Sequence, residues 1–164
     1  MAYETYTPLF SEICLKVNNA KDKPAKIKVL QKFRTPAFEM FLKSALDPRI
    51  EWLLPEGDVP FIENDAPEGT EHTRLSQAML KGHNFVKLNR EHLKMPDVIG
   101  NASLNRSKRE MMFIQVLEGL HKNEAWLLIY AKDKQINKKY KGLNAKTVQE
   151  AYGWGPHFEP LSSN

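Results

Sequence analysis

The chain has 164 residues, 41% hydrophobic and 27% charged, with a net charge of +4 and one cysteine. This suits a single domain with its own core, excludes a disordered chain and an intramolecular disulfide, and fits a reducing compartment. No apolar run approaches the roughly 18 residues that span a bilayer, and the opening MAYETYTPLFSEI has no basic stretch ahead of an apolar core, so a chain without membrane span or secretory leader is expected.

Thr7-Pro8 gives the first helix start, with Phe10, Ile13, Cys14 and Val17 on a buried face. Cys14 sits among apolar residues and reads as a buried thiol. Asp22 caps a second helix with Ile27, Leu30 and Phe33 inward. Thr35-Pro36 opens a third, with Phe38, Phe41, Leu42 and Ala45 inward, and Asp47-Pro48 ends it. Residues 1–46 therefore read as N-terminal helices with tight connections.

Residues 47–72 hold four prolines and two glycines and read as an ordered acidic loop. It lays Trp52, Leu53, Leu54, Phe61 and Ile62 on the helical core. Ile50–Leu54 and Val59–Ile62 suit short turns or short extended pieces. Thr73 to Phe85 predicts a helix with Leu75, Met79, Leu80 and His83 inward, weakened by Gly82. The stretch to 105 reads as a mobile linker with short elements.

Ser107 or Asn105 caps the strongest helix, whose inner face is Met112, Phe113, Val116, Leu117 and Leu120. Asn123 is expected to cap the next one, and EAWLLIYA, apolar on most sides, predicts a central position. After a lysine-rich turn, Asn144 caps a last helix with Val148, Ala151 and Tyr152 inward. Leu143 and Val148 form a hydrophobic staple and Gly153 is the stop. The tail, 154–164, has no helical pattern. The expected fold is a mostly α, compact bundle of about six helices with an irregular acidic insertion, a single domain over 1–164.

Signals for chemistry are weak. The five histidines, His72, His83, His92, His121 and His157, include no i, i+4 pair and have no cysteine partner. Glu71-His72 and Glu91-His92 are adjacent and face apart on a helix. No phosphate loop and no nucleophile elbow appears. The reading is a non-enzymatic binding protein with no catalytic residue, no metal and no cofactor.

Charge is distributed unevenly. Lys16 to Lys43 carries eight basic and two acidic residues, Asp47 to Glu71 one basic and eight acidic, and Arg106 to Lys141 nine basic and four acidic. Two basic segments flanking an acidic one suit a polyanion or an acidic protein face, and equally suit an acidic segment folded over its basic neighbours. Arg106, Lys108 and Arg109 open the strongest helix. Lys132, Lys134, Lys138, Lys139, Tyr140, Lys141 and Lys146 surround the last turn. Lysine and arginine contact phosphates and Tyr140 can stack on a base. The helix after the first of these clusters lacks polar side chains to read base edges, so backbone contact is expected. The lysines of the first segment lie on outer helix faces and are weaker evidence.

From Met111 to Trp154 the chain resembles a family of small uncharacterised proteins of large contractile-tailed, myovirus-type bacteriophages. The likeness rests on the Leu-Glu-x-Leu-His helix Leu117–His121, Glu124-Ala125, the lysine turn 132–139, Tyr140–Leu143 and Val148–Ala151. Tyr3–Ile13 and Ile50–Ile62 extend it. Many members end the last helix in Pro-Gly-Leu, where this chain has Gly-Trp-Gly. The resemblance implies a phage origin and action in the host bacterial cytoplasm; it carries no activity.

The resulting expectation is a phage accessory protein that binds nucleic acid, or a replication or transcription assembly on it, through the two basic clusters. Two alternatives stand beside it. One is a host-takeover or anti-defence factor docking a bacterial protein through Trp52, Phe61, Trp154 and Phe158. The other is a minor virion component.

Overall fold

The computed structural model of the chain describes residues 7–65, 67 and 73–161; Glu71 and His72 lie outside them. Among the described residues there are eight α-helices: α1 (Phe10–Asn19), α2 (Lys23–Lys32), α3 (Pro36–Leu46), α4 (Leu75–Ala78), α5 (Arg106–Gly119), α6 (Lys122–Lys132), α7 (Ile136–Lys139) and α8 (Ala145–Tyr152). The architecture is mostly α, with eight helices where about six were expected. The unforeseen one, α7, is a single turn too short to show a period.

Three short strands, β1 (Ile50–Trp52), β2 (Val86–Leu88) and β3 (Val98–Ile99), form an antiparallel sheet in that order. Ile50 pairs with Leu88, Trp52 with Val86, and Lys87 with Ile99. The stretch expected as a mobile linker is therefore partly a hairpin. The helix expected over Thr73–Phe85 is one turn of α4 running into a 3-10 segment, Met79–Phe85, that leaves Leu80 and His83 exposed.

α6 is central, packed against α1, α3, α5 and α7. Its Ala125, Leu127, Leu128, Ile129 and Ala131 are buried, which is why its sequence is apolar all round. Phe10, Phe38 and Phe41 meet at ring-centroid distances of 4.9, 5.7 and 6.3 Å. A second cluster sets Phe113 against Phe85 at 5.3 Å and Trp52 at 6.4 Å. Offset and tilted pairs at such distances stabilise a core beyond their buried area.

Two helix starts differ from expectation. α1 begins at Phe10, not after Thr7, because carboxylates meet its first N–H groups. Leu9 donates to Glu12 Oε1 at 3.0 Å and Phe10 to Glu124 Oε2 at 2.7 Å. The other Glu124 oxygen accepts from Leu75 N at 2.9 Å, at the start of α4. One buried carboxylate thus joins two helix N-termini, where backbone donors favour an anion. At α6 the His121 ring, not Asn123, is the cap: Nδ1 accepts from Asn123 N at 3.0 Å. The caps at Asp22, Thr35, Asn105 and Asn144 are as expected.

The acidic segment lies along α5 and α6. Ile62 N donates to Glu118 Oε2 at 2.8 Å, Trp126 Nε1 to Glu63 Oε1 at 2.7 Å, and Phe61 meets Trp126 edge-on at 5.5 Å. Trp52, Leu54, Val59 and Phe61 pack on the core, while Ile62 points out, 79% exposed.

Candidate functional site

The residues expected to bind phosphate separate into two sets. Arg109, Lys132 and Lys134 are internal fasteners. Arg109 donates through Nε to Asn84 O at 3.2 Å and through Nη2 to Leu104 O at 3.0 Å. The Lys132 ammonium donates to the carbonyls of Pro55 and Gly57 and pairs with Asp133. Its side chain has no exposed surface, while Asp133 accepts from Gly57 N. Lys134 donates to Ser44 O at 2.7 Å and Asp47 O at 2.9 Å, closing the C-terminus of α3. Arg109 and Lys132 are buried and Lys134 is half-buried, and backbone carbonyls hold all three, so their charge is used within the fold.

The exposed set is also divided. Arg106 pairs with Glu110 one helical turn on, at 3.0 Å; it and Lys108 sit at the open end of α5. Lys146 belongs to α8, beside Gln149 and Trp154. Lys138, Lys139 and Lys141 are exposed around α7 and Tyr140 is half-buried.

The aromatic alternative is turned inward. Trp52 Nε1 donates to Ser44 O at 2.8 Å. Trp154 and Phe158 are 5% and 3% exposed. Trp154 meets Tyr152 edge-on at 4.9 Å, with the Lys43 ammonium 4.8 Å and the Arg34 guanidinium 5.9 Å from its ring centre. Such cation–ring contacts, with the partial bridge between Trp154 and Pro160, fold the tail onto the body. Trp154 and Phe158 are buried, whereas Trp52 and Phe61 are half-buried against the core.

The lysine-rich turn docks on the corner between α1 and α2. Ile136 is buried under it. Lys26 Nζ donates to Val17 O at 2.8 Å, Asn18 O at 3.1 Å and Lys141 O at 3.3 Å, capping α1 and holding the turn at once. In return Lys141 N donates to Asn18 Oδ1 at 2.8 Å. Gly142 has a φ of +93°, and a Cβ there would lie 2.4 Å from Lys26 Cδ. Only glycine allows both that backbone and that approach.

Between turn and corner runs a groove of about 910 Å³. Leu15, Lys16, Asn18 and Asn19 of α1, Ala25 and Val29 of α2, Asn123 of α6, and Lys139 and Tyr140 line it, with Glu12 the one acid. Burial pushes the Tyr140 phenol up to about 12, so the ring stays neutral. No described residue of the acidic segment lines the groove. Among the described residues no three His, Cys, Asp or Glu side chains gather to hold a metal ion.

Sequence reasoning missed Lys16, Lys26, Asn18, Asn19 and Asn123 as parts of this site. The signal available was the basic excess of the first segment, read there as a solvated helix face.

A family model described as a family of unknown function (DUF6433) matches residues 13–138. The chain belongs to this family. No curated protein and no solved structure matches it. The matched span includes the α1–α2 corner, Asn123 and the first three residues of α7, and stops just before Lys139 and Tyr140.

Proposed function

We propose that this member of the family is a non-enzymatic accessory protein of a tailed phage that binds nucleic acid by its backbone, in the cytoplasm of the host. The observation that carries the reading is convergence. Lys16 lies in the first basic segment and Lys139 in the second, and both line one groove, with Lys141 pinned beside it. Like charges gathered from distant parts of a chain repel one another and cost stability, and a polyanionic ligand relieves that cost. The exposed lysines Lys16, Lys138, Lys139 and Lys141 give the phosphate contacts, and Arg106, Lys108 and Lys146 do not line the groove.

Fluorescence anisotropy at low salt with labelled single- and double-stranded DNA and RNA tests this. Lys139→Glu with Lys141→Glu is expected to weaken binding at least tenfold, whereas Arg106→Glu with Lys108→Glu changes it little. Absence of binding to every nucleic acid, or an equal loss in both double variants, contradicts the reading.

A further inference from the structure

We infer that the groove takes single-stranded nucleic acid with bases turned inward, in preference to a duplex; this rests on the polyanion reading above. The apolar part of the lining decides it. Leu15 is 52% exposed, and Val29 and the half-buried Tyr140 ring add to it. A duplex keeps its bases stacked inside and presents phosphates outward, so it offers such a lining nothing to cover. An unpaired strand offers base faces, which stack on aromatic rings and pack on aliphatic ones.

Polar groups in the groove point the same way. Glu12 lines it, its Oε1 already accepting from Leu9 N, and a carboxylate there repels phosphate. Asn123 brings an amide with donors and an acceptor that match exposed base edges, and Asn19, whose Oδ1 already accepts from Asn18, brings its donors. Asn18 is already fixed, its Oδ1 accepting from Lys141 N and its Nδ2 donating to Asn19 Oδ1 at 3.0 Å. Lys16 and Lys139 line the same groove, and Lys141 follows Tyr140. Amides that match base edges and lysines that match phosphates thus share one groove.

The test is anisotropy with one mixed-sequence oligonucleotide as a single strand of DNA, as a single strand of RNA, and annealed as a duplex. The single strands are expected to bind about tenfold tighter than the duplex. Leu15→Ser, a neutral change at an exposed position that leaves the core untouched, and Tyr140→Leu are each expected to weaken single-strand binding about tenfold, the loss of one base contact. Both are expected to leave duplex binding unchanged, and Tyr140→Phe to bind as the parent does. Circular dichroism of each variant checks folding, and Leu15→Ser decides if Tyr140→Leu does not fold. Equal or tighter duplex binding overturns the inference and leaves the polyanion reading standing. Single-strand binding undisturbed by Leu15→Ser also overturns it. Binding to neither form removes both.

Discussion

Lys134 shows how one side chain changes meaning once its surroundings are known. Its ammonium is pulled down to about 8 from the ordinary 10.5, chiefly by burial, with Asp47 and Glu51 pulling the other way. Between about 8 and 10.5 the unfolded chain holds a proton that the folded chain has released. Stability therefore rises with pH across that window and is insensitive to this group below it. The Tyr140 phenol, pushed up to about 12 from 10.0, acts in the opposite sense. The folded chain keeps a proton the unfolded chain loses, so stability falls as pH climbs past 10. Comparing the parent with Lys134→Met isolates the lysine. Urea denaturation is expected to show the parent gaining on the variant between pH 7 and pH 10, and a difference that stays flat contradicts the assignment. Nothing local in Lys134 announces this role. Lys138, four residues on, has the same composition around it and is exposed, because only the partners at Ser44 and Asp47, some ninety positions away in sequence, distinguish the two.

At the scale of elements, α8 was fully legible and the sheet was not. The Asn144 cap, the Leu143–Val148 staple and the glycine stop are all local, and each stands where expected: Asn144 Oδ1 accepts from Thr147 N at 2.9 Å, Leu143 and Val148 are fully buried, and Gly153 has φ +68°. Strands of two and three residues are too short for alternation to emerge, and the pairing of Ile50 with Leu88 joins residues almost forty apart. The acidic segment falls between these cases. Its apolar residues announced that it would lie on the core, but its fastener, Lys132, looked like any other member of a lysine-rich turn. Lys132→Met keeps the apolar stem and leaves the Pro55 and Gly57 carbonyls without their donor. A loss of about 1–3 kcal/mol is expected, the cost of buried polar groups left unpaired. Limited proteolysis should then cut within residues 55–65 faster than in the parent. Unchanged cleavage contradicts the role given to this clamp.

Across the whole molecule, the uneven charge of the sequence becomes a division of surfaces. The acidic segment is bound to α5 and α6 through Glu118, Trp126 and Lys132. The basic groove lies against α1, α2 and α7, and none of the described acids of that segment lines it. The sequence alone left masking and exposure equally open, since net charge carries no position. The same limit hid the partnership of Lys16 with Lys139, because charge segments more than a hundred residues apart meet only through the packing of α1 and α7 around α6. The central claim is that these two lysines serve one ligand. The salt dependence of single-strand affinity, measured by anisotropy for the parent and for Lys16→Gln with Lys139→Gln, tests it most directly. Each neutralised phosphate contact removes about 0.7 from the slope of log K against log salt, so the double variant should be shallower by about 1.4. A slope that stays the same, with affinity unchanged, would contradict the account.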